Sequence, residues 1–184
     1  MVFWSGRRGV ALALALLGML AGATACSSAR AQQSASASAE HVSARDLGWL
    51  DQAHQANLAE INAGQFAQTN ASAADIRSAG AMLVRDHTAL DAKLIHVAAE
   101  LKVSLVTHLT VQQYEISDRL GKELGFTFDH DFTGSMMTAH QEMITATTTE
   151  IQHGSSPLVT ALAQQTLPVL EKHLRMMRAV AGSG

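Results

Sequence analysis

Glu60, His87, His140 and His173 each fall near the midpoint of a separate helical segment. Three of the four interrupt stripes that are otherwise apolar. Burying an unpaired charge is expensive, so such positions need a reason. One carboxylate and three imidazoles meeting at a point make a ligand set for iron, zinc, manganese or copper. The other reading of the same residues is metal-free: a polar cluster, with His87 bonded to Glu60 or Asp86, fixing helix register in a structural or interaction module. Asp86, beside His87, flanks the stripe and is expected to accept the outward N–H of an imidazole. Met136 and Met143 lie one turn either side of His140, and Met176 and Met177 follow His173 by a turn. Thioethers there suit copper or, equally, core filling.

These residues need four long helices to position them. The first spans about 45–69, with Ala53, Ala56, Ala63 and Ala67 forming a small-residue face around Glu60. A turn at 70–72 follows, and Ser72 is placed to cap the second helix, about 72–102. Its stripe reads Ile76, Gly80, Leu83, His87, Leu90, Leu94, Val97 and Leu101, at three- and four-residue spacing. Residues 103–126 cross over, with a short helix expected at 111–124. The third long helix, about 127–153, aligns Phe132, Met136, His140, Met143, Thr147 and Ile151 on one face. Ser156 and Pro157 are an N-cap and first-position proline for the fourth, about 157–181. Its stripe is Leu162, Thr166, Val169, His173, Met176 and Val180, and Pro168 is expected to kink it. Helix midpoints in such a bundle share roughly one layer, because each ligand lies within about five positions, or roughly 7 Å, of its midpoint.

Composition agrees with an all-α domain: the chain is rich in Ala, Leu and Gln, with only two prolines. Its 184 residues suffice for one core, and the formal charge of -3 offers no basic field for nucleic acid. Residues 1–25 read as an export signal, with Arg7 and Arg8 ahead of an apolar run at 10–20. The signal ends at Ala25-Cys26, compatible with lipidation of Cys26, the chain's only cysteine. Ala23-Thr24-Ala25 and Ala29-Arg30-Ala31 equally suit ordinary cleavage, so periplasmic and outer-membrane-anchored locations both stay open. A lipid at Cys26 is the only membrane attachment expected. Residues 26–45 form a Ser/Ala/Gln tether, and 46–181 the folded domain. The protein partners stay unassigned.

Other chemistries lack their signatures. Glu150 and His153 form the only E-x-x-H, where di-iron bundles need that motif on two helices. The pair is expected at the surface, as are His54, His96, His108 and His130. No G-x-S-x-G or phosphate-cradling glycine loop occurs. Four ligands leave a coordination position open on some ions, so catalysis is compatible with the set.

Five stretches carry a family resemblance: Asn57-Leu58-Ala59-Glu60-Ile61, Met82 to Thr88, Phe128-Asp129, His140-Gln141, and Leu167-Pro168-Val169-Leu170 with His173-Leu174. By these the chain from about Asp46 to Val180 resembles the bacterial envelope family known as domain of unknown function 4142. The resemblance implies a ferritin-like four-helix bundle with a short crossover helix between the second and third long helices. It departs at Phe132, where the family pattern usually has tyrosine, so any role for that phenol is absent.

Overall fold

A computed structural model describes residues 41–182, all helical or connecting, with no strand among them. The expected export signal, Cys26 and most of the expected tether lie outside the described residues. Five helices follow in order: α1 (Ala44–Asn70), α2 (Ala74–Leu101), α3 (Val111–Lys122), α4 (Gly125–His153) and α5 (Pro157–Ala181). No helix among the described residues is long and apolar enough to cross a membrane.

Local chemistry sets most of the boundaries. Ser43 starts α1 through a reciprocal capping box with Asp46, so the folded part begins slightly earlier than expected. Thr110 and Gln113 do the same for α3. Ser156 caps α5, with Pro157 in its first turn. Ser72 does not cap α2. The helix begins at Ala74 without a side-chain cap of its own, and Asp129 of α4 takes that role. Its carboxylate accepts from the Ser72 and Ala73 amides at 3.1 Å each and from the Ser72 hydroxyl. A helix start has thus been handed to a residue some 57 positions away. α5 continues through Pro168 to Ala181.

The long helices pack as α1 on α2, α4 on α5, α1 on α4 and α2 on α5, and α3 lies against α1 and α4. Gly64 and Gly80 let α1 and α2 approach closely. A Cβ on Gly80 would lie 2.5 Å from the Ala67 Cβ and 2.7 Å from the Gly64 carbonyl oxygen. Two apolar clusters fill the interior. One contains Leu83, Phe128, Phe132, Met136 and Met177; the other contains Trp49, Leu50, Leu94, Met143, Leu162 and Leu170. Phe132 is fully buried and stacks on Phe128 with ring centroids 5.4 Å apart. Along each long helix, Glu60, His87, His140 and His173 fall between the residues of one cluster and those of the other. The core is therefore two apolar slabs separated by a polar layer.

Candidate metal centre

Each helix brings one side chain into that layer, and all four are buried to 1% exposure or less. Glu60 Oε2 lies 2.9 Å from His87 Nε2 and 3.2 Å from His140 Nε2. His87 Nε2 is in turn 3.2 Å from His173 Nδ1. The ligand-capable nitrogens of the three histidines lie within 4.8 Å of one another. Separations of this size suit donor atoms sharing an ion at about 2.0–2.2 Å.

The outward nitrogens decide what the inward ones present. His140 Nδ1 is 2.8 Å from the Met136 carbonyl, which only accepts, so Nδ1 carries the hydrogen. His173 Nε2 donates to Asp86 Oδ2 at 3.0 Å, and that carboxylate also accepts from Lys172 at 3.2 Å. His87 Nδ1 donates to Asn57 Oδ1 at 2.9 Å. The amide of Asn57 is oriented by its other end, where Nδ2 donates to Asp91 Oδ1 at 3.3 Å. Asp91 Oδ1 is held further by His54 Nδ1 at 2.6 Å. With the outer nitrogen of each ring committed, the nitrogens left to face inward are Nε2 of His87, Nε2 of His140 and Nδ1 of His173. Both Glu60 oxygens and His140 Nε2 are buried without a hydrogen-bond partner, the short approaches to Glu60 lacking hydrogen-bond geometry.

The electrostatics favour an ionised Glu60 and a neutral His173. Burial by itself raises the Glu60 pKa, but His140, His87 and His173 around it outweigh that and hold it at about 2. Burial, with His87 and His140 nearby, lowers His173 to about 4 against the opposing pull of Asp86. Asp86 also sits at about 2, its burial penalty overcome by bonds from His173, Lys172 and Arg85. At neutral pH Glu60 and Asp86 are therefore anions and His173 is neutral, the protonation states that metal binding requires.

The four residues singled out by periodicity thus come together, with Asp86 against His173. Several other placements differ from the sequence reading. His54 is buried in the Asp91 interaction rather than exposed. Glu150 is also buried, at 1% exposure, while His153 is exposed; the two are not a surface pair. Glu150 instead faces Asp46 at the end of the molecule where α4 gives way to α5. His96, His108 and His130 are exposed as expected. Met136, Met143 and Met177 belong to the two apolar clusters, and Met176 packs at the edge of one. The residues missed were Asn57, Asp91 and His54. Their signal was in the sequence: His54, Asn57 and Glu60 follow at three-residue spacing, and Asp91 follows His87 by four, so each shares a helix face with a ligand candidate.

Fold and site together define an all-helical protein with a buried three-histidine, one-carboxylate centre. The chain belongs to the family described as domain of unknown function (DUF4142), whose profile matches residues 31–180. No curated protein and no solved structure matches it.

Proposed function

We propose that this is an exported envelope protein that binds one transition-metal ion in the core of a ferritin-like four-helix bundle, for sequestration or a stress response. The four long helices supply Glu60, His87, His140 and His173 as ligands, α3 is the crossover, and Asp86 orients His173. The observation that carries the reading is the convergence of three imidazole nitrogens within 4.8 Å of one another, two of them beside the Glu60 carboxylate, with each ring held by an acceptor on its far side. Two of those nitrogens, on His87 and His173, stand 3.2 Å apart and repel unless a cation or a proton lies between them. Buried oxygens of Glu60 without hydrogen-bond partners add to the case for a cation. Imidazole and carboxylate donors suit iron, zinc, manganese and copper, and no thiolate contributes. With one carboxylate at the centre and Asp86 outside it, the set fits one ion better than a carboxylate-bridged pair.

The residues at the N-terminus support export, with Cys26 as the site of a lipid or lying just past an ordinary cleavage site. Neither nucleic acid nor a bilayer-spanning helix enters this reading.

Elemental analysis of the purified chain, without an affinity tag or chelator, tests the proposal. Near-stoichiometric metal in the parent and none in the His87→Ala/His140→Ala double variant is the expected result, with a metal-dependent rise in Tm confined to the parent. A second reading draws on the same contacts. A proton on His87 Nε2 can be shared with His173 Nδ1 and its charge paired with Glu60, leaving a metal-free polar layer that fixes register. In that case neither protein takes up iron, zinc, manganese or copper, and combined apolar replacement of the four residues preserves or raises stability.

A further inference from the structure

Glu60 is nearly inaccessible to solvent, so an ion bound there needs a way in. Two adjoining cavities lie on one side of it. The outer is a vestibule of about 370 Å³ between α1, α3 and α4, lined by Gln52, Gln55, Gln112, Gln113, Thr138 and Glu142. The inner, about 50 Å³, has Glu60 in its wall, with Ala59, Ala63 and Met136. Ala56, Gln113, Ile116, Ser135 and Ala139 belong to both, so the two cavities adjoin and these side chains form the neck between the vestibule and the cavity beside Glu60. Small side chains of α1 and α4 keep that neck open; a leucine at Ala59 or Ala139 would fill it.

Charge separates this face from the opposite one. The vestibule wall holds one ionisable group, the exposed Glu142, and otherwise amides, hydroxyls and small apolar groups. On the α2/α5 side the cleft beside Asp86 is flanked by Lys93 and Lys172, with Arg85 paired to Asp86 at 2.9 Å. Those cations repel an incoming cation, and the Asp86 carboxylate there is already occupied by His173 and Lys172. Amide and hydroxyl oxygens, by contrast, can replace water around a hard or borderline cation as it sheds its shell.

Resting on the metal-binding reading above, we propose that the α1/α3/α4 vestibule is the route by which a hydrated divalent cation reaches the centre. Gln113 and Ala139 form its neck, and Glu60 is the first ligand it meets. The far half of α3 anchors the wall: Leu120 is fully buried, the Ser117 hydroxyl donates to Asn62 Oδ1 at 2.5 Å, and Asn70 donates to the Leu120 carbonyl at 3.1 Å.

Uptake kinetics test the route. Metal-free full-length protein is mixed with Co2+, followed by its visible absorption, or with Zn2+ released from a chromophoric chelator. Ala139→Leu, which narrows the neck, is expected to slow loading by about tenfold or more while leaving the final stoichiometry intact. Glu142→Lys, at an exposed rim position that does not threaten folding, should slow it too, with the effect fading at high salt. Lys93→Glu, on the opposite face, should leave the rate unchanged. If Ala139→Leu and Glu142→Lys load at the parental rate, or Lys93→Glu loads faster, the route is overturned while metal binding stands. If the parent takes up neither ion, the metal-binding reading fails and takes the route with it.

Discussion

Asn57 never faces the centre with a ligand atom, yet it decides which nitrogen of His87 does. Its amide oxygen holds the Nδ1 hydrogen, and its own orientation is fixed by Asp91, which is fixed by His54. An acceptor behind a metal-bound imidazole sets tautomer and ring orientation and raises ligand basicity, and losing one typically costs about 10–100-fold in metal affinity. Asn57→Leu is therefore expected to weaken binding by that factor in a chelator competition while the ion-to-protein ratio at saturation stays the same. Unchanged affinity would show that the His54–Asp91–Asn57 chain serves only to satisfy buried polar groups. Asp86 stands in the same relation to His173, but from a partly exposed position shared with two surface cations, so its removal should matter less.

At the scale of elements, the distance between Glu60 and His87 depends on how closely α1 and α2 approach. Gly64 follows Glu60 by one turn and Gly80 precedes His87 by two, and at these glycines the two backbones nearly touch. Gly80→Ala would put a methyl where the Ala67 Cβ and the Gly64 carbonyl already are. Rigid backbone and a side chain with no rotamer leave it no way to yield except by parting the helices. Overpacking of this kind costs about 1–3 kcal/mol, readable as a lower denaturation midpoint at unchanged slope. The same parting draws Glu60 from His87, so metal affinity should fall with it. Much of the element plan was legible in advance, because stripes at three- and four-residue spacing, a serine before a proline and a glycine-serine stop each act within a turn or two. The start of α2 was not. Its cap comes from Asp129 across the molecule, and no local pattern around Ser72 could show that.

For the whole molecule, one end is held by a second polar group of a different kind. Asp46 receives the amide hydrogens of Ser155 and Ser156 at 2.9 and 3.1 Å, as well as the Ser43 amide and hydroxyl, so one carboxylate ties the start of α1 to the start of α5. Those donors outweigh its burial and hold its pKa far below the usual carboxylate range. Glu150, from the last turn of α4, faces it with both oxygens buried. Burial and the neighbouring Asp46 push Glu150 up to about 7, opposed only by Arg45. A carboxyl raised on folding is protonated in the native state at pH values where the unfolded chain has already lost the proton. Stability from Glu150 is thus full below about 4.5 and declines as pH rises to about 7. Glu150→Gln, which keeps the shape without the charge, should remove that decline and leave the variant with a higher Tm than the parent at pH 8. Equal Tm values at pH 8, with parallel profiles below, would place Glu150 in solvent contact instead.

What the sequence by itself determined was burial and layer. A glutamate and three histidines on otherwise apolar helix faces, each near a midpoint, had to enter the core at similar depth, because helical periodicity fixes the face and rise per residue fixes the height. Tertiary structure alone decided the rest. Which ring nitrogen points inward depends on the acceptor behind it, and for His87 and His173 that acceptor stands on another helix, while for His140 it is the Met136 carbonyl one turn back. The burial of His54 depends on Asp91 of α2 standing against it, and that of Glu150 on Asp46 of α1. Periodicity does not encode those pairings: it says which side of a helix is wet, but not what stands opposite.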